Sequence, residues 1–177
     1  MKRSELEHLI RASGAIADDN ELIIIGSQSI LGQFAHAPAS LLVSMEADIF
    51  PKNKPDLSDL VDGSIGEGSF FHEQFGYYAQ GVGPETAVLP EGWEKRLISI
   101  NNKNTNGITG LCLEVNDLAI SKYIAWRPKD QQFTRELAVQ KMTEQKILHK
   151  RLSKTELSKI VKTQIKSRID SDFKIKK

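Results

Sequence analysis

The feature that most constrains the fold of this chain is a buried-strand pattern that runs directly into a glycine and a serine. Residues 22–25 are apolar and mostly β-branched, which predicts a buried strand. Gly26 lets the backbone approach a ligand closely, and Ser27 is placed to cap a short helix. Free amides at a helix start attract phosphate. The alternative is an ordinary strand-to-helix turn with a serine cap, because every helix start has free amides.

Two acidic residues follow about twenty positions later. Residues 41–45 are predicted to form a second strand that delivers Glu46 and Asp48 at its end. Because strand side chains alternate between faces, both carboxylates are expected to point the same way and can together hold a divalent cation. The alternative is a solvent-facing acidic strand end. If the two strands are parallel and end at one edge of the sheet, the pattern favours metal-assisted chemistry on a nucleotide.

A third carboxylate is available later in the chain. Residues 96–100 and 110–115 are predicted to pair as a β-hairpin, which puts Glu114 near the end of its second strand. Glu114 is therefore a candidate third metal ligand beside the acidic pair.

Lys122 and Asp130 are a second candidate pair, eight residues apart. A lysine neutralises charge on a phosphate, and an aspartate orients the lysine or acts as a base. Lys122 lies on a predicted helix over residues 118–126, which Pro128 is expected to stop or kink, so the sequence does not establish their proximity. The alternative is an exposed helix charge and a helix cap.

Histidine and cysteine usage argues against zinc. His72 is a candidate substrate contact, or a structural residue packed among aromatic side chains, and has no second histidine three or four residues away. Cys112 is the only cysteine, so an intrachain disulfide and a multi-cysteine zinc site are both excluded.

Charge is distributed unevenly along the 177 residues. The formal net charge is +1, yet residues 145–177 carry eleven basic and three acidic residues, a local charge of +8. We therefore predict a domain over residues 1–150 and a basic helical tail over residues 151–177, with a helix over residues 154–169. The tail either binds a polyanion such as RNA or folds back on the acidic remainder of the chain.

The composition is that of a soluble globular protein, with 40% hydrophobic and 27% charged residues. No apolar run reaches the roughly 18 residues of a membrane span, and the first residues contain no apolar signal core. We expect a cytoplasmic protein without membrane partners.

Taken together, several short motifs resemble a known family. They are IGS (25–27), EAD (46–48), DLAISK (117–122), RPKD (127–130) and TAVLPEGW (86–93). In this order they resemble bacterial nucleotidyltransferase-like proteins of the DNA-polymerase-β superfamily, related to the toxins of abortive-infection type IV toxin–antitoxin systems. The resemblance covers roughly residues 20–140.

The resemblance implies an α/β (α+β) fold, a mixed sheet of the minimal nucleotidyltransferase type flanked by helices, with a helical C-terminal extension here. It implies that Gly26 and Ser27 hold a nucleoside triphosphate, that Glu46 and Asp48 bind Mg²⁺, and that Lys122 matches the family's second motif. Asp130 matches that motif too. Two departures stand out: glutamate replaces the usual first aspartate of the acidic pair, and Pro128 lies inside the second motif.

The predicted function is therefore metal-dependent transfer of a nucleoside monophosphate from a triphosphate to an RNA or protein acceptor. The alternative is an inactive relative that acts as a binding module or as one partner of a toxin–antitoxin pair, with a cognate protein partner.

Overall fold

The computed structural model describes residues 1–174, which form two compact units. The first unit comprises residues 1–86 and 97–113, and the second comprises residues 87–96 and 114–174. Over the described residues the chain contains one five-stranded mixed sheet and eight α-helices, which confirms the predicted α+β class. None of the helices within residues 1–174 has the length and apolar character needed to cross a membrane.

The sheet belongs to the first unit. Its strands are β1 Glu21–Ile24, β2 Glu46–Pro51, β3 Tyr78–Gly81, β4 Ile98–Ile100 and β5 Thr109–Cys112. Their order is β3-β2-β1-β5-β4, with β1 parallel to β5 and antiparallel to β2. β3 is parallel to β2, and β4 and β5 form the predicted antiparallel hairpin.

The helices of the first unit include one long element that covers the sheet. They are α1 Arg3–Ala17, α2 Ile30–Gln33, α3 Ser58–Ile65 and α4 Phe70–Phe75. In α1, Leu6, Leu9 and Ile10 recur at helical spacing and are fully buried. Gly110 on β5 allows the close packing of α1, since a Cβ there would lie 2.4 Å from Cδ1 of Ile10.

The predicted strand over residues 41–45 is wrong. Ala39–Leu41 is a 3-10 turn, and β2 begins only at Glu46. Val43 and Met45 are 78% and 59% exposed, so the part of the apolar run that follows Leu41 does not face the core. Leu41 is buried within that turn, and the buried strand residues of this region lie later, in β2 itself.

The first two strands do not have the parallel arrangement on which the predicted metal site was made conditional. β1 and β2 are antiparallel, with Ile24 opposite Ile49. Because an antiparallel strand runs back along its neighbour, the beginning of β2 lies beside the end of β1. Gly26 and the acidic residues therefore do lie at one edge of the sheet, but through antiparallel strands.

The second unit is helical. Its helices are α5 Val115–Ala125, α6 Pro128–Val139, α7 Gln145–Ser153 and α8 Lys159–Lys174. Leu148 and Leu152 of α7 and Ile165 and Ile169 of α8 are buried, at most 4% exposed. The predicted tail helix therefore exists, but it begins five residues later than expected. α7 runs across residue 150, and the predicted domain boundary there stays a prediction.

Candidate functional site

The end of β1 and the start of β2 place Gly26 against Asp48. The backbone N–H of Ile25 donates to the carbonyl of Asp48 at 3.1 Å. A Cβ on Gly26 would lie 2.1 Å from Oδ2 of Asp48 and 2.7 Å from its Cγ. Gly26 has φ −77° and ψ −175°, a conformation open to any residue. Glycine is therefore needed here because it leaves room for the Asp48 carboxylate.

The turn after Gly26 is a short 3-10 segment, Ser27–Ser29, that leads into α2. Gly26 occupies its capping position, and no side chain caps it, so the predicted cap by Ser27 is wrong. The next two residues, Gln28 and Ser29, are fully buried, and their side-chain polar atoms have no hydrogen-bond partner within the described structure. Buried polar atoms of this kind usually find a partner, so the turn carries unsatisfied hydrogen-bonding capacity.

Glu46 and Asp48 lie two residues apart on β2, on the same face of the sheet, as predicted. The parallel strand β3 sets Tyr78 beside Glu46 and Gln80 beside Asp48. The Tyr78 hydroxyl donates to Oε2 of Glu46 at 3.2 Å. Burial, followed by the charges of Glu46 and Glu67, raises the pKa of Tyr78 to about 12. The phenol therefore keeps its proton at neutral pH and acts as a donor.

His72 lies beside this corner on α4. Its ring packs against that of Tyr78, with centroids 4.6 Å apart and planes tilted by 51°. Its Nδ1 accepts from the backbone N–H of Gly68 at 3.0 Å. The aromatic setting predicted for His72 is present, and its contact with a substrate stays a prediction.

The predicted proximity of Lys122 and Asp130, which the sequence left open, is present in the second unit. Nζ of Lys122 lies 3.5 Å from Oδ1 of Asp130. A helix boundary lies at Pro128, as predicted, but the proline begins a new helix and does not kink a continuous one. α5 ends before Trp126, which takes a left-handed conformation with φ 52°, and Pro128 is the first residue of α6. The change in chain direction between the two helices places the Asp130 carboxylate next to the Lys122 ammonium group.

Asp130 is held firmly in place. It is 1% exposed, and Nε of Arg127 donates to its Oδ2 at 2.7 Å. Burial favours protonation, but the Arg127 hydrogen bond and the Lys122 charge outweigh it and hold the pKa of Asp130 below its usual value. The carboxylate is therefore ionised at neutral pH. The sequence motif contained Arg127, but its role as the hydrogen-bonding partner of Asp130 was missed.

Glu114 also lies in the second unit, at the residue before α5. Its Oε1 accepts from Nδ2 of Asn116 at 2.6 Å, and its Oε2 is buried without a hydrogen-bond partner, 3.9 Å from Nη2 of Arg151. Its assignment as a metal ligand stays a prediction. Among residues 1–174, the structure shows no group of three or more histidine, cysteine, aspartate or glutamate residues that could hold a metal ion.

Asp117 is a buried acidic residue that sequence reasoning did not single out as a site. It is fully buried, accepts from Arg96 Nε at 2.7 Å and Nη2 at 3.1 Å, and lies 3.0 Å from Nε of Arg151. Burial raises the pKa of Asp117, and the two guanidinium groups oppose that shift. The partners lie 21 and 34 residues away in sequence, so no local pattern could reveal the cluster.

Comparison with known proteins identifies one family. The model of the family described as "Nucleotidyltransferase of unknown function (DUF6036)" matches residues 4–176. No curated protein and no solved structure matches the chain significantly. The family description contains no toxin–antitoxin role, so that part of the expectation stays a prediction.

Proposed function

We propose a function for this chain from its family, since it belongs to the DUF6036 nucleotidyltransferases. It transfers a nucleoside monophosphate from a triphosphate to an RNA or protein acceptor, in a reaction that depends on Mg²⁺. The observation that carries the proposal is the corner where Gly26 leaves room for the Asp48 carboxylate, with Glu46 on the same face of β2.

The residues of this corner fit a magnesium ion. Mg²⁺ prefers oxygen ligands and commonly binds to one or two carboxylates together with substrate phosphates. Glu46 and Asp48 supply two carboxylates on one face, and the Gly26 backbone packs closely against the Asp48 carboxylate. When bound, the ion would neutralise charge on the phosphates. Gly26 and Ser27 are our candidates for holding the triphosphate, through the backbone of the turn that they begin. The side chains of the next two residues are buried and have no hydrogen-bond partner within the described structure.

The reaction that we propose is a nucleotidyl transfer. A hydroxyl oxygen of the acceptor attacks the α-phosphorus, and a new oxygen–phosphorus bond forms. The bond from the α-phosphorus to the oxygen bridging it to the β-phosphate breaks, and pyrophosphate leaves with that electron pair. The hydroxyl proton passes to a carboxylate, for which Asp48 is our candidate.

For the second unit we propose that Lys122 binds a phosphate group. An ammonium group stabilises the negative charge of a transferring phosphoryl group. Asp130 orients Lys122 through the 3.5 Å ion pair, because its own carboxylate is buried and held by Arg127. Asp130 would thus act on the lysine through their ion pair.

The acceptor that we favour is RNA. Lys159, Lys166 and Lys174 are exposed along α8, and phosphate contacts of this kind supply salt-dependent binding to nucleic acids. A hydroxyl group on a protein is the second acceptor class, and the experiment must include both.

The test is transfer of a labelled nucleotide. The purified protein is incubated with Mg²⁺ and each of the four α-³²P-labelled nucleoside triphosphates, with total RNA or with protein as acceptor. We expect label on one acceptor class, lost in Asp48→Ala and retained in Asp59→Ala, which removes an exposed carboxylate of the same unit.

Two outcomes would contradict this expectation. Triphosphate binding that requires Asp48 but yields no labelled product would favour the inactive binding module. Transfer that survives Asp48→Ala would overturn our assignment of the site.

A further inference from the structure

Glu46 has one more rotatable bond than an aspartate would have at the same position. A longer side chain samples more orientations, so it loses more conformational entropy when it is fixed on a metal ion. A glutamate in this position therefore gains from a neighbouring group that holds its carboxylate in place before the ion binds.

The structure supplies such a group from the adjacent strand. Tyr78 lies directly beside Glu46 in the parallel register of β2 and β3, and its hydroxyl donates to Oε2 of Glu46 at 3.2 Å. The hydrogen bond occupies one lone-pair direction of one oxygen, and a carboxylate has about four.

Tyr78 is itself held from the glycine-rich segment. The His72 ring packs against the Tyr78 ring, and Nδ1 of His72 accepts from the backbone N–H of Gly68 at 3.0 Å. Ser69 caps α4 through a 3.2 Å hydrogen bond from the backbone N–H of His72, which fixes the first turn of that helix. A continuous series of contacts therefore runs from Gly68 through His72 and Tyr78 to Glu46.

We propose that Tyr78 is a positioning residue, which orients the Glu46 carboxylate for a divalent cation and which His72 holds in place. This inference rests on the proposed metal-dependent function. The inference goes beyond the proposed function because it assigns a role to the segment between α3 and β3. Preorganisation of metal-binding carboxylates by neighbouring hydrogen bonds typically changes metal affinity by tenfold or more.

The experiment measures binding of Mn²⁺ alone, by electron paramagnetic resonance of the unbound ion, to the full-length protein. We expect Tyr78→Phe to weaken binding about tenfold, which corresponds to about 1.4 kcal/mol. Tyr77→Phe is the matched control, because it removes the same atom from the preceding residue, whose hydroxyl contacts Nδ1 of His8 at 2.9 Å. It should leave Mn²⁺ affinity unchanged.

A double-mutant cycle separates positioning from a general loss of structure. Glu46→Asp retains a carboxylate but shortens the side chain that meets the Tyr78 hydroxyl. If Tyr78 acts through Glu46, then Tyr78→Phe should weaken Mn²⁺ binding no further in the Glu46→Asp background. Glu46→Asp alone should also weaken binding, which provides a second variant if Tyr78→Phe folds poorly.

The outcomes distinguish this inference from the proposed function. If Asp48→Ala abolishes Mn²⁺ binding while Tyr78→Phe binds Mn²⁺ as the wild type does, the positioning role is refuted and the proposed site remains. Additive losses in the cycle would likewise refute action through Glu46. If Mn²⁺ binding is the same with and without the Asp48 carboxylate, the proposed function itself fails.

Discussion

Replacing Gly26 with alanine should weaken metal binding and nucleotidyl transfer while changing the free energy of unfolding little. The added Cβ would lie 2.1 Å from Oδ2 of Asp48, whereas an ordinary contact between such atoms is about 3.4 Å. The carboxylate must therefore move by roughly 1.3 Å. A displacement of about 1 Å at a reacting centre can cost on the order of a hundredfold in rate. We expect Mn²⁺ affinity to fall at least tenfold and nucleotidyl transfer to fall by about two orders of magnitude.

The stability of the same variant should change little. Gly26 has an extended conformation that alanine adopts without strain, and such substitutions stabilise by about 0.4–1 kcal/mol through the unfolded state. Against this, moving the half-buried Asp48 side chain off its preferred rotamer costs about 0.5–1.5 kcal/mol. The free energy of unfolding should therefore stay within about 1 kcal/mol of the wild-type value.

Urea denaturation and Mn²⁺ titration of the same preparation measure both quantities. Gly63→Ala is the matched control, because a Cβ at this position in α3 has no atom within 4 Å. It should stabilise the protein by about 0.5–1 kcal/mol and leave Mn²⁺ binding unchanged. Our reasoning would be refuted by a Gly26→Ala protein that binds Mn²⁺ with wild-type affinity, or by one that loses more than about 3 kcal/mol of stability.

Three further predictions concern the packing and the charges. Gly110→Ala should cost about 1–3 kcal/mol in urea denaturation, since its Cβ would overlap an α1 side chain, and a neutral result would contradict the packing described. Asp130→Asn should cost about 2–4 kcal/mol at neutral pH, because it leaves the 8%-exposed Lys122 without its carboxylate. The pKa of Asp130 is lower in the folded than in the unfolded protein. The stability difference between the wild type and Asp130→Asn should therefore be complete above pH ~3.9 and disappear as the pH falls through the lower folded-state pKa. A stability difference that stays constant down to about pH 2 would contradict the ion pair. Ile165→Ala should cost about 2–5 kcal/mol, whereas Ile160→Ala, at a 73% exposed position, should change stability by less than about 0.5 kcal/mol; equal effects would place α8 outside the core.

The sequence predicted the acidic corner better than it predicted the strand that carries it. The β-branched run before Gly26 and the spacing of Glu46 and Asp48 are local signals, and the structure bears out both. The strand boundary was missed because residues 41–45 are as apolar as a buried strand, yet Val43 and Met45 face outward. Which apolar segment is buried as a strand is determined by the tertiary arrangement, and local sequence does not show it.

The proximity of Lys122 and Asp130 depends on a backbone conformation that the sequence does not predict. Trp126 takes a positive φ angle, which is uncommon for a bulky residue. Pro128 was correctly recognised as a helix boundary, but proline is favoured at the first helical position as well as beyond a helix end. The sequence alone could not decide between these two roles.

The contacts missed altogether join residues that are distant in sequence. Tyr78 is 32 residues from Glu46, and Arg96 is 21 residues from Asp117. Neither pair shares an element, so no periodicity connects them. A single sequence can propose which side chains carry chemistry, whereas the groups that hold them in place emerge from strand register and helix packing.

The last helix has a consequence for how the protein would meet a polyanion. α8 is folded and anchored by Ile165, Ile169 and the buried Asp172, whose carboxylate accepts from the Tyr123 hydroxyl at 2.9 Å. Its exposed lysines therefore form a fixed surface, so a nucleic acid that docks there has no helix to order. Calorimetry of such an encounter should show the small heat-capacity change of rigid docking, without the large negative change that accompanies coupled folding.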